Sequence, residues 1–565
     1  NEITVDPSAK LATAQPGAIV KDVITTLAPH NLGHAVGNCP VIGVPGFISY
    51  GGWGLWSRNK GLAIDNVVEY EVVTSDGELR IVNSTSHPDL FWALRGAAPS
   101  YVMVTKFTFK VFDNSDFYGG HWTFSGSLEG LKDWWHRVDD SNLSNDPNFI
   151  SRITMARLPA SFLTPTVQTC QFVFEIALFG NMTHEEKDAL LLDELAFNVS
   201  NPNDPGFIGS VIKASWNENY TYYNTFNTQS FENGLVPGTK QWMRHGFFDE
   251  LTDDILDTFW QGFDDSTTTN EEMSRFQSGE LSIAGGRFSE IDQSETSYFN
   301  RRNAKWMWGF WVGALPIPGF ASFDSLKTHY DEIADELYYE VAKQRGFYAN
   351  LNSIVQGSEF DAFGTNLVKL EHVKSVYDPD NLFSRGFDIA TRPGANCINY
   401  VNGDFVTPTH AEIQLHDFTL LNDMVLFQYN FNESYNPGNM SRDAHFSIAI
   451  YDGHYNLKYE KVYEAWDSPQ AQQYVNGWKK DHIDGEWFHS IILPHESGDT
   501  ITYIRGGNYS GNFLGEADTL PITGNQATNV KLIVRLEFGN ENCIHVEFTE
   551  DMVTYESHKR LLASF

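Results

Sequence analysis

Apolar residues in the first part of the chain alternate between helical and strand-like spacing. Four apolar residues at helical spacing within 20–27 predict a short amphipathic helix. Apolar runs within 67–82 flank a Ser-Asp-Gly turn at 75–77 and predict a β-hairpin. Apolar and polar residues alternate at 107–111, as in a half-buried strand. Residues 1–115 are therefore predicted to form an α+β unit.

Longer amphipathic helices appear between residues 116 and 345. Apolar residues recur at helical spacing in 128–138, 251–259 and 326–337, and a strand-like run lies at 171–178. This mixture predicts an α+β domain in which helices cover one face of an antiparallel sheet.

The pattern changes again after a helical stretch at 367–376, which is followed by a proline. A linker rich in Pro, Gly and Asn lies at 392–396. Beyond it apolar and polar residues alternate, as at 530–538. We predict an all-β module of the sandwich type over residues 396–565.

Composition narrows the classes of function. The chain has 565 residues, 41% apolar and 20% charged, which is typical of a protein with large cores. Its length predicts about three or four folding units. With 38 Lys and Arg against 73 Asp and Glu, its formal net charge is −35, which argues against nucleic-acid binding and docking on anionic lipid. The longest apolar stretches are short and interrupted by proline, so no membrane insertion is predicted.

Eight Asn-X-Ser/Thr sequons favour a secreted glycoprotein. They begin at Asn83, Asn142, Asn181, Asn198, Asn219, Asn432, Asn439 and Asn508. The alternative is that a sequence rich in Asn and Ser produces sequons by chance. In an oxidising compartment Cys397 and Cys543 could form a disulfide, although sequence alone does not fix the pairing. The first residues do not form a signal-like segment, so we expect either a removed leader or a missing start.

Glycines are concentrated in the segment 37–66, GNCPVIGVPGFISYGGWGLWSRNKGLAIDN. Such glycines let the backbone approach a flat or anionic ligand and expose N–H donors. The segment lacks the Gly-Lys-Ser/Thr end of a Walker loop, and Gly52-x-Gly54 lacks the third glycine of a Rossmann fingerprint. The alternative function of these glycines is to form tight turns between strands.

Several long strings carry a resemblance to a known family. They are CPVIGV at 39–44, GGWGLWSRNKGLAIDNVV at 51–68, HPDLFWALRG at 87–96 and VTKFTFKV at 104–111. Three more are GGRFSEIDQSETSYFNRRNAKW at 285–306, FYANLN at 347–352 and FGTNLVKLEHVKSVYDPDNLF at 363–383. Together they resemble FAD-linked oxidases of the vanillyl-alcohol-oxidase type, within them the berberine-bridge-enzyme-like and oligosaccharide-oxidase-like members.

The resemblance covers about residues 1–390 and implies a domain order. It implies an FAD-binding domain at 1–115, a substrate-binding domain at 116–345 and a return segment of the FAD domain at 346–392. It does not reach the β module, which we expect to be an accessory domain.

The resemblance also implies FAD as the cofactor. Cys39 stands where the family's cysteine can attach to flavin C6, and a thiolate that attacks the ring must face it. The alternative is a free buried cysteine. The implied cofactor contacts are Cys39, Pro40, Gly43, Val44, Gly46, Gly51, Gly52, Gly54, Asp65, Asn66 and Val104. Arg58, by contrast, is expected to be structural.

Three features depart from the family pattern. The family's leading FAD subdomain precedes the point where this chain starts, so we expect that a separate chain supplies it as a partner, that the sequence lacks its start, or that FAD binding has been lost. Residues 97–103 read Ala-Ala-Pro-Ser-Tyr-Val-Met where the family has glycines, which introduces side chains there. The tyrosine that often precedes Gly-x-Asn as a base is absent, since Ala362 and Phe363 hold those positions.

An alcohol oxidation needs a base near the substrate hydroxyl. The candidates are Tyr348, Tyr298, Glu290 and Asp292, of which Tyr348 is preferred, and Asn366 is expected to position cofactor or substrate.

Two hypotheses about function follow. The first is a secreted FAD-dependent oxidase that passes hydride from an alcohol, a sugar or a phenolic carbinol to flavin and then electrons to O2. The second is a non-catalytic secreted glycoprotein that retains the flavoprotein fold for binding, pigment or structural use. We expect a small-molecule substrate for the oxidase, and no nucleic acid as a partner under either hypothesis.

Overall fold

The computed structural model describes the following residues: 2–37, 40–114, 116–125, 127–159, 168–180, 182–195, 209–215, 240–262, 275–292, 295–298, 302–314, 323–335, 337, 359–364, 366–392 and the strands between 398 and 550. They fall into two compact units. The first holds residues 1–355, 361–364 and 380–388, and the second holds 356–360, 365–379 and 389–565. The implied return segment therefore contributes to both.

The first unit begins with a small antiparallel sheet and short helices. Its strands are β1 (Ile3–Asp6), β2 (Leu11–Ala14), β3 (Leu32–Gly33), β4 (Val67–Val73), β5 (Leu79–Asn83), β6 (Met103–Lys110) and β7 (Phe112–Asp113). Its helices are α1 (Val20–Leu27), α2 (Val44–Ser49), α3 (Ser57–Lys60) and α4 (Pro88–Ala97), with 3₁₀ turns at Ala28–His30, Ala63–Asn66 and Ala98–Ser100. Five strands pair in the order β1-β2-β6-β4-β5, and β3 pairs with β7. The predicted helix and the predicted β4–β5 hairpin are both confirmed.

A seven-stranded antiparallel sheet follows. Its strands are β8 (Asp116–Ser125), β9 (Phe149–Pro159), β10 (Gln168–Phe179), β11 (Gly209–Ser215), β12 (Lys240–Phe248), β13 (Arg275–Ile283) and β14 (Trp306–Ala314). They pair in the order β11-β8-β10-β9-β13-β14-β12. The helices of this region are α5 (Leu128–Asp139), α6 (His184–Leu195), α7 (Asp253–Trp260), α8 (Arg287–Glu290) and α9 (Phe323–Asp335), with a 3₁₀ turn at Asn142–Asn145. The three predicted helices are α5, α7 and α9.

Helices cover one face of the seven-stranded sheet. The indole of Trp134 on α5 donates to the Ser151 hydroxyl at 3.1 Å and lies 5.7 Å from the ring of Trp306. The ring of Phe310 stacks at 4.5 Å on Phe259 of α7. Because side chains alternate between the faces of a strand, the neighbours of these residues belong to the opposite face. We call this opposite face the open face of the sheet.

The second unit contains α11 (Asn366–Tyr377) and two β-sheets, and α10 (Glu359–Phe363) is shared between the units. Its strands are β15 (Ile398–Val401), β16 (Ile413–Leu420), β17 (Met424–Asn432), β18 (Ala444–Tyr451), β19 (Leu457–Glu464), β20 (Glu486–Pro494), β21 (Thr502–Ile504), β22 (Val530–Phe538) and β23 (Asn542–Glu550). They form the sheets β15-β23-β22-β18-β19 and β16-β17-β20-β21. The described part of the chain after residue 392 consists of strands, so the predicted α+β fold with an all-β C-terminal domain is confirmed.

Candidate functional site

Residues 40–46 form an apolar surface segment at the start of α2, which we call the glycine ledge. Backbone hydrogen bonds of 3.0 Å from the first two residues of α1 anchor it. The side chains of Val41 and Ile42 are exposed at 49% and 40%. Among the described residues, no atom beyond the adjoining backbone lies within 4 Å of the place that a Cβ would take at Gly43 or Gly46. The ledge therefore offers a surface that a planar group can approach.

The next glycines pack against protein atoms instead. At Gly51 (φ +117°) a Cβ would come 2.7 Å from the ring of Tyr298, and at Gly52 (φ +86°) it would come 2.8 Å from the ring of Phe47. At Gly54 it would overlap a backbone carbonyl. These three glycines are required by the fold, and their contact with a cofactor stays a prediction.

Asp65 takes part in a buried ion pair that the sequence did not predict. Both guanidinium nitrogens of Arg302 donate to its carboxylate, at 2.8 and 2.9 Å, and the backbone N–H of Leu62 donates to it at 2.8 Å. The two charged side chains are only 4% and 5% exposed. The Arg302 guanidinium also lies over the rings of Phe288 and Tyr298, at 5.3 and 5.5 Å. Asp65 thus joins the glycine-rich segment to residues 288–302.

The other predicted contacts differ in burial. Asn66 is buried and donates to the carbonyls of Lys60 and Leu62, at 3.1 and 2.9 Å. Val44 is buried as the first residue of α2, and Val104 is half-buried on β6. Like Pro40, they stay predictions as cofactor contacts.

Arg58 is structural, as expected. Its guanidinium donates to the carbonyls of Ala284, Ser144 and Asp146, the last two at 2.7 and 2.9 Å. Burial lowers the pKa of Arg58 to about 10, partly offset by the Asp146 carboxylate. Arg58 therefore stays charged at neutral pH and ties the glycine-rich segment to residues just before β9 and just after β13.

The segment that replaces the family's glycines is well packed. Ala98 and Val102 are buried, and the Ser100 hydroxyl donates to the carbonyl of Phe387 at 3.0 Å. Gly96 (φ +154°) has no room for a Cβ, because the backbone of Tyr298 lies there. The side chains of Ala98 and Val102, which replace glycines of the family, therefore point into the protein interior.

The predicted catalytic residues are not brought together among the described residues. Cys39 and Tyr348 lie outside the described part of the chain. Asn366 is buried at the start of α11. Of the weaker base candidates, Tyr298 is buried, whereas Glu290 is 60% exposed and paired with Arg287. The sequons other than Asn83 and Asn142, and the two cysteines Cys397 and Cys543, lack described side chains.

Sequence reasoning missed a row of polar side chains on the open face of the sheet. The row crosses the five neighbouring strands β10-β9-β13-β14-β12 and consists of Glu175, Arg152, Glu280 and His245, with Gly309 on β14 between the last two; we call these four side chains the polar row. Arg152 lies opposite Glu175 in register and forms an ion pair with it. Glu280 and His245 both lie opposite Gly309, one on each side. Strand alternation could have suggested the face, but the pairing register was needed to align the row.

The open face contacts the glycine-rich segment next to the polar row. Phe247, two residues after His245, shares its face because side chains alternate along β12. Its ring stacks on Phe288 at 5.3 Å and meets the Trp53 ring edge-on at 5.9 Å. Trp53 lies between Gly52 and Gly54, so the polar row and the glycine-rich segment approach each other here.

None of the helices in the described part of the chain combines the length and the hydrophobicity of a membrane-spanning helix. Within those same residues, no group of His, Cys, Asp and Glu is arranged to hold a metal ion.

Two protein-family models match this chain, one near the start and one near the end of residues 1–390. An FAD binding domain matches residues 1–83, and a berberine and berberine-like domain matches residues 347–385. The xylooligosaccharide oxidase of Thermothelomyces thermophilus is 40% identical over 111 residues, which are 20% of this chain and 22% of that protein. The glucooligosaccharide oxidase of Sarocladium strictum is 24% identical over 408 residues, 67% of this chain and 74% of that protein.

A solved structure gives the same fold. The 6-hydroxy-D-nicotine oxidase of Arthrobacter nicotinovorans superposes with a TM-score of 0.56 at 20% identity, over 69% of this chain and 81% of that one. The stronger sequence matches are short, since the match to the xylooligosaccharide oxidase spans about a fifth of that relative. The two family domains and the sequence relatives make this chain similar to the berberine-like group of FAD-linked oxidases of the vanillyl-alcohol-oxidase type, whose fold it shares, and they support FAD as its cofactor.

Proposed function

We propose that the protein is an FAD-dependent oxidase that oxidises a hydroxyl-bearing carbon of a sugar or another small alcohol, including phenolic carbinols, and passes the electrons to O2. The observation that carries the proposal is the approach of two surfaces through Trp53 and Phe247. One surface belongs to the FAD-binding region and the other presents acidic and basic side chains. Sugars are favoured as substrates because two relatives by sequence are named as oligosaccharide oxidases.

The described part of the glycine ledge fits a flat aromatic ring. Gly43 and Gly46 leave open space, and Val41 and Ile42 expose apolar side chains beside it. When bound there, FAD would accept the hydride of the alcohol and return the electrons to O2. The protein's contribution is to orient the ring, and Cys39 is proposed to hold it covalently.

The test uses the purified full chain. Flavin absorption that stays with the polypeptide after denaturation supports covalent FAD. In the Cys39→Ala variant the flavin should instead separate from the denatured polypeptide. Peroxide release is then measured with cellobiose, xylobiose, primary alcohols and phenolic carbinols. Gly46→Val should lower flavin content without loss of folding, because its Cβ meets open space. Flavin without peroxide on every substrate would instead favour a non-catalytic pigment or binding protein.

We also propose that the protein is secreted and glycosylated. Asn142 is exposed, which leaves room for a glycan, and its side-chain amide donates to Glu194 at 3.0 Å. Asn83 is half-buried, with its amide bonded to Glu69 at 3.0 Å. Glycopeptide mapping should therefore find fuller occupancy at Asn142 than at Asn83. Unmodified peptides at all sequons would refute the proposal.

A further inference from the structure

Glu280 and His245 lie side by side on the open face of the sheet with only a glycine between them. In register, Gly309 pairs with Glu280 on one side and with His245 on the other. The imidazole of His245 occupies the space beside Gly309, where a Cβ would overlap its ring. A side chain at 309 would thus displace His245. The glycine lets an acidic and a basic group border one shared space.

The charges in the polar row are unequal. Arg152 is bound to Glu175 and lies 3.7 Å from an oxygen of Glu280. Two carboxylates therefore share one guanidinium, and these three groups carry an excess negative charge when both carboxylates are ionised. Burial raises the pKa of Glu280, Glu175 raises it further, and Arg152 opposes the shift. A carboxylate with a raised proton affinity is a stronger proton acceptor than an ordinary carboxylate.

The site lies close to the FAD-binding region. Phe247, on the same face and strand as His245, packs on Phe288 and Trp53. Trp53 belongs to the glycine-rich segment.

The other candidate bases are placed differently. Glu290 is exposed, and its carboxylate accepts a hydrogen bond of 3.1 Å from Arg287. Tyr298 is buried beneath Gly51. Glu280 differs from both, because it is half-buried on the open face beside Arg152 and His245.

We propose that Glu280 is the proton acceptor of the oxidation, with His245 as its neighbour at the reacting hydroxyl and Arg152 as a positioning residue. The assignment rests on the proposed oxidase function. The O–H bond of the alcohol breaks and its proton goes to a carboxylate oxygen of Glu280. The C–H hydrogen leaves with its electron pair to FAD, and the carbon–oxygen bond becomes a carbonyl. The alcohol is oxidised and FAD is reduced, so atoms and electrons balance.

The test compares full-length, flavin-loaded variants in anaerobic stopped flow, with cellobiose and xylobiose as probes. Glu280→Gln keeps the shape of the side chain and removes the acceptor, so flavin reduction should slow by about 10²–10⁴-fold. In the wild type, the rate of flavin reduction should rise with pH as the base loses its proton, and this rise should be absent in Glu280→Gln. Glu280→Asp should restore part of the rate. Glu129→Gln, an exposed glutamate on α5 changed in the same way, should leave rate and pH profile unchanged.

A second readout does not depend on turnover. Infrared titration of wild type minus Glu280→Gln should show a protonated carboxyl that persists above pH 4.5, the ordinary value for glutamate. Reduction of Glu280→Gln at the wild-type rate and with the wild-type pH profile would overturn the assignment. If the wild type is reduced by no alcohol, the proposed function fails. In that case the infrared titration alone tests the inference about Glu280. If the Glu280 carboxyl titrates at the ordinary glutamate pKa of 4.5, the inference is overturned.

Discussion

Replacing Asp65 by Asn removes the anionic partner of Arg302 inside the protein. Both side chains are at most 5% exposed, so the guanidinium would stay buried with its charge uncompensated. Breaking a buried pair in this way costs about 3–5 kcal/mol. The unit that holds both residues has about 370 residues, which implies an unfolding entropy of about 0.8 kcal/mol/K. We expect Asp65→Asn to lower the melting temperature of this unit by about 4–6 °C.

Differential scanning calorimetry measures the shift, with Asp133→Asn as the matched control. Asp133 also pairs with an arginine, Arg137, but the two are 59% and 43% exposed, so its loss should cost less than about 1 kcal/mol. The double variant Asp65→Asn/Arg302→Met should be more stable than the sum of its single changes, because no buried charge is left unpaired. An Asp65→Asn shift no larger than that of the control would refute the structural role of the pair.

Three further predictions concern local structure. Gly51→Ala should lower the melting temperature more than Gly77→Ala. Both glycines have positive φ, but only at Gly51 does an aromatic ring lie against the position of the new Cβ. Equal shifts in melting temperature would contradict the packing around Gly51. Burial lowers the pKa of His34 from 6.5 to about 4, so stability present above pH 6.5 should be lost as pH falls towards 4. His34→Gln should flatten the dependence of unfolding free energy on pH in that range, and an unchanged slope would argue against it. Peptide mapping without reductant should find Cys397 linked to Cys543, because the residues that follow them pair in parallel register, and free thiols at both would refute the link.

The sequence predicted elements well where the pattern is periodic and local. The helix at 20–27 buries the four apolar residues that predicted it, and the helices α5, α7 and α9 lie where apolar residues recur at helical spacing. The β-rich C-terminal region followed from alternation in the same way. These signals are read within one turn of helix or a few residues of strand, so they need no knowledge of tertiary structure.

The candidate site could be predicted only in part, because its contacts join distant residues. Asp65 and Arg302 are 237 positions apart, and no local pattern pairs them. The alignment of Glu280, Gly309 and His245 depends on the register of three strands, which a shift by one residue would destroy. The glycine-rich segment was recognised, but only packing separates the open Gly43 and Gly46 from glycines that the fold itself requires.

We propose that this chain carries FAD and uses it to oxidise an alcohol. The visible absorption spectrum of the purified protein, recorded before and after anaerobic addition of cellobiose, tests it most directly. We predict flavin bands that bleach on addition of the sugar and return when air is admitted. A folded preparation that stays colourless after expression with ample riboflavin would contradict the claim.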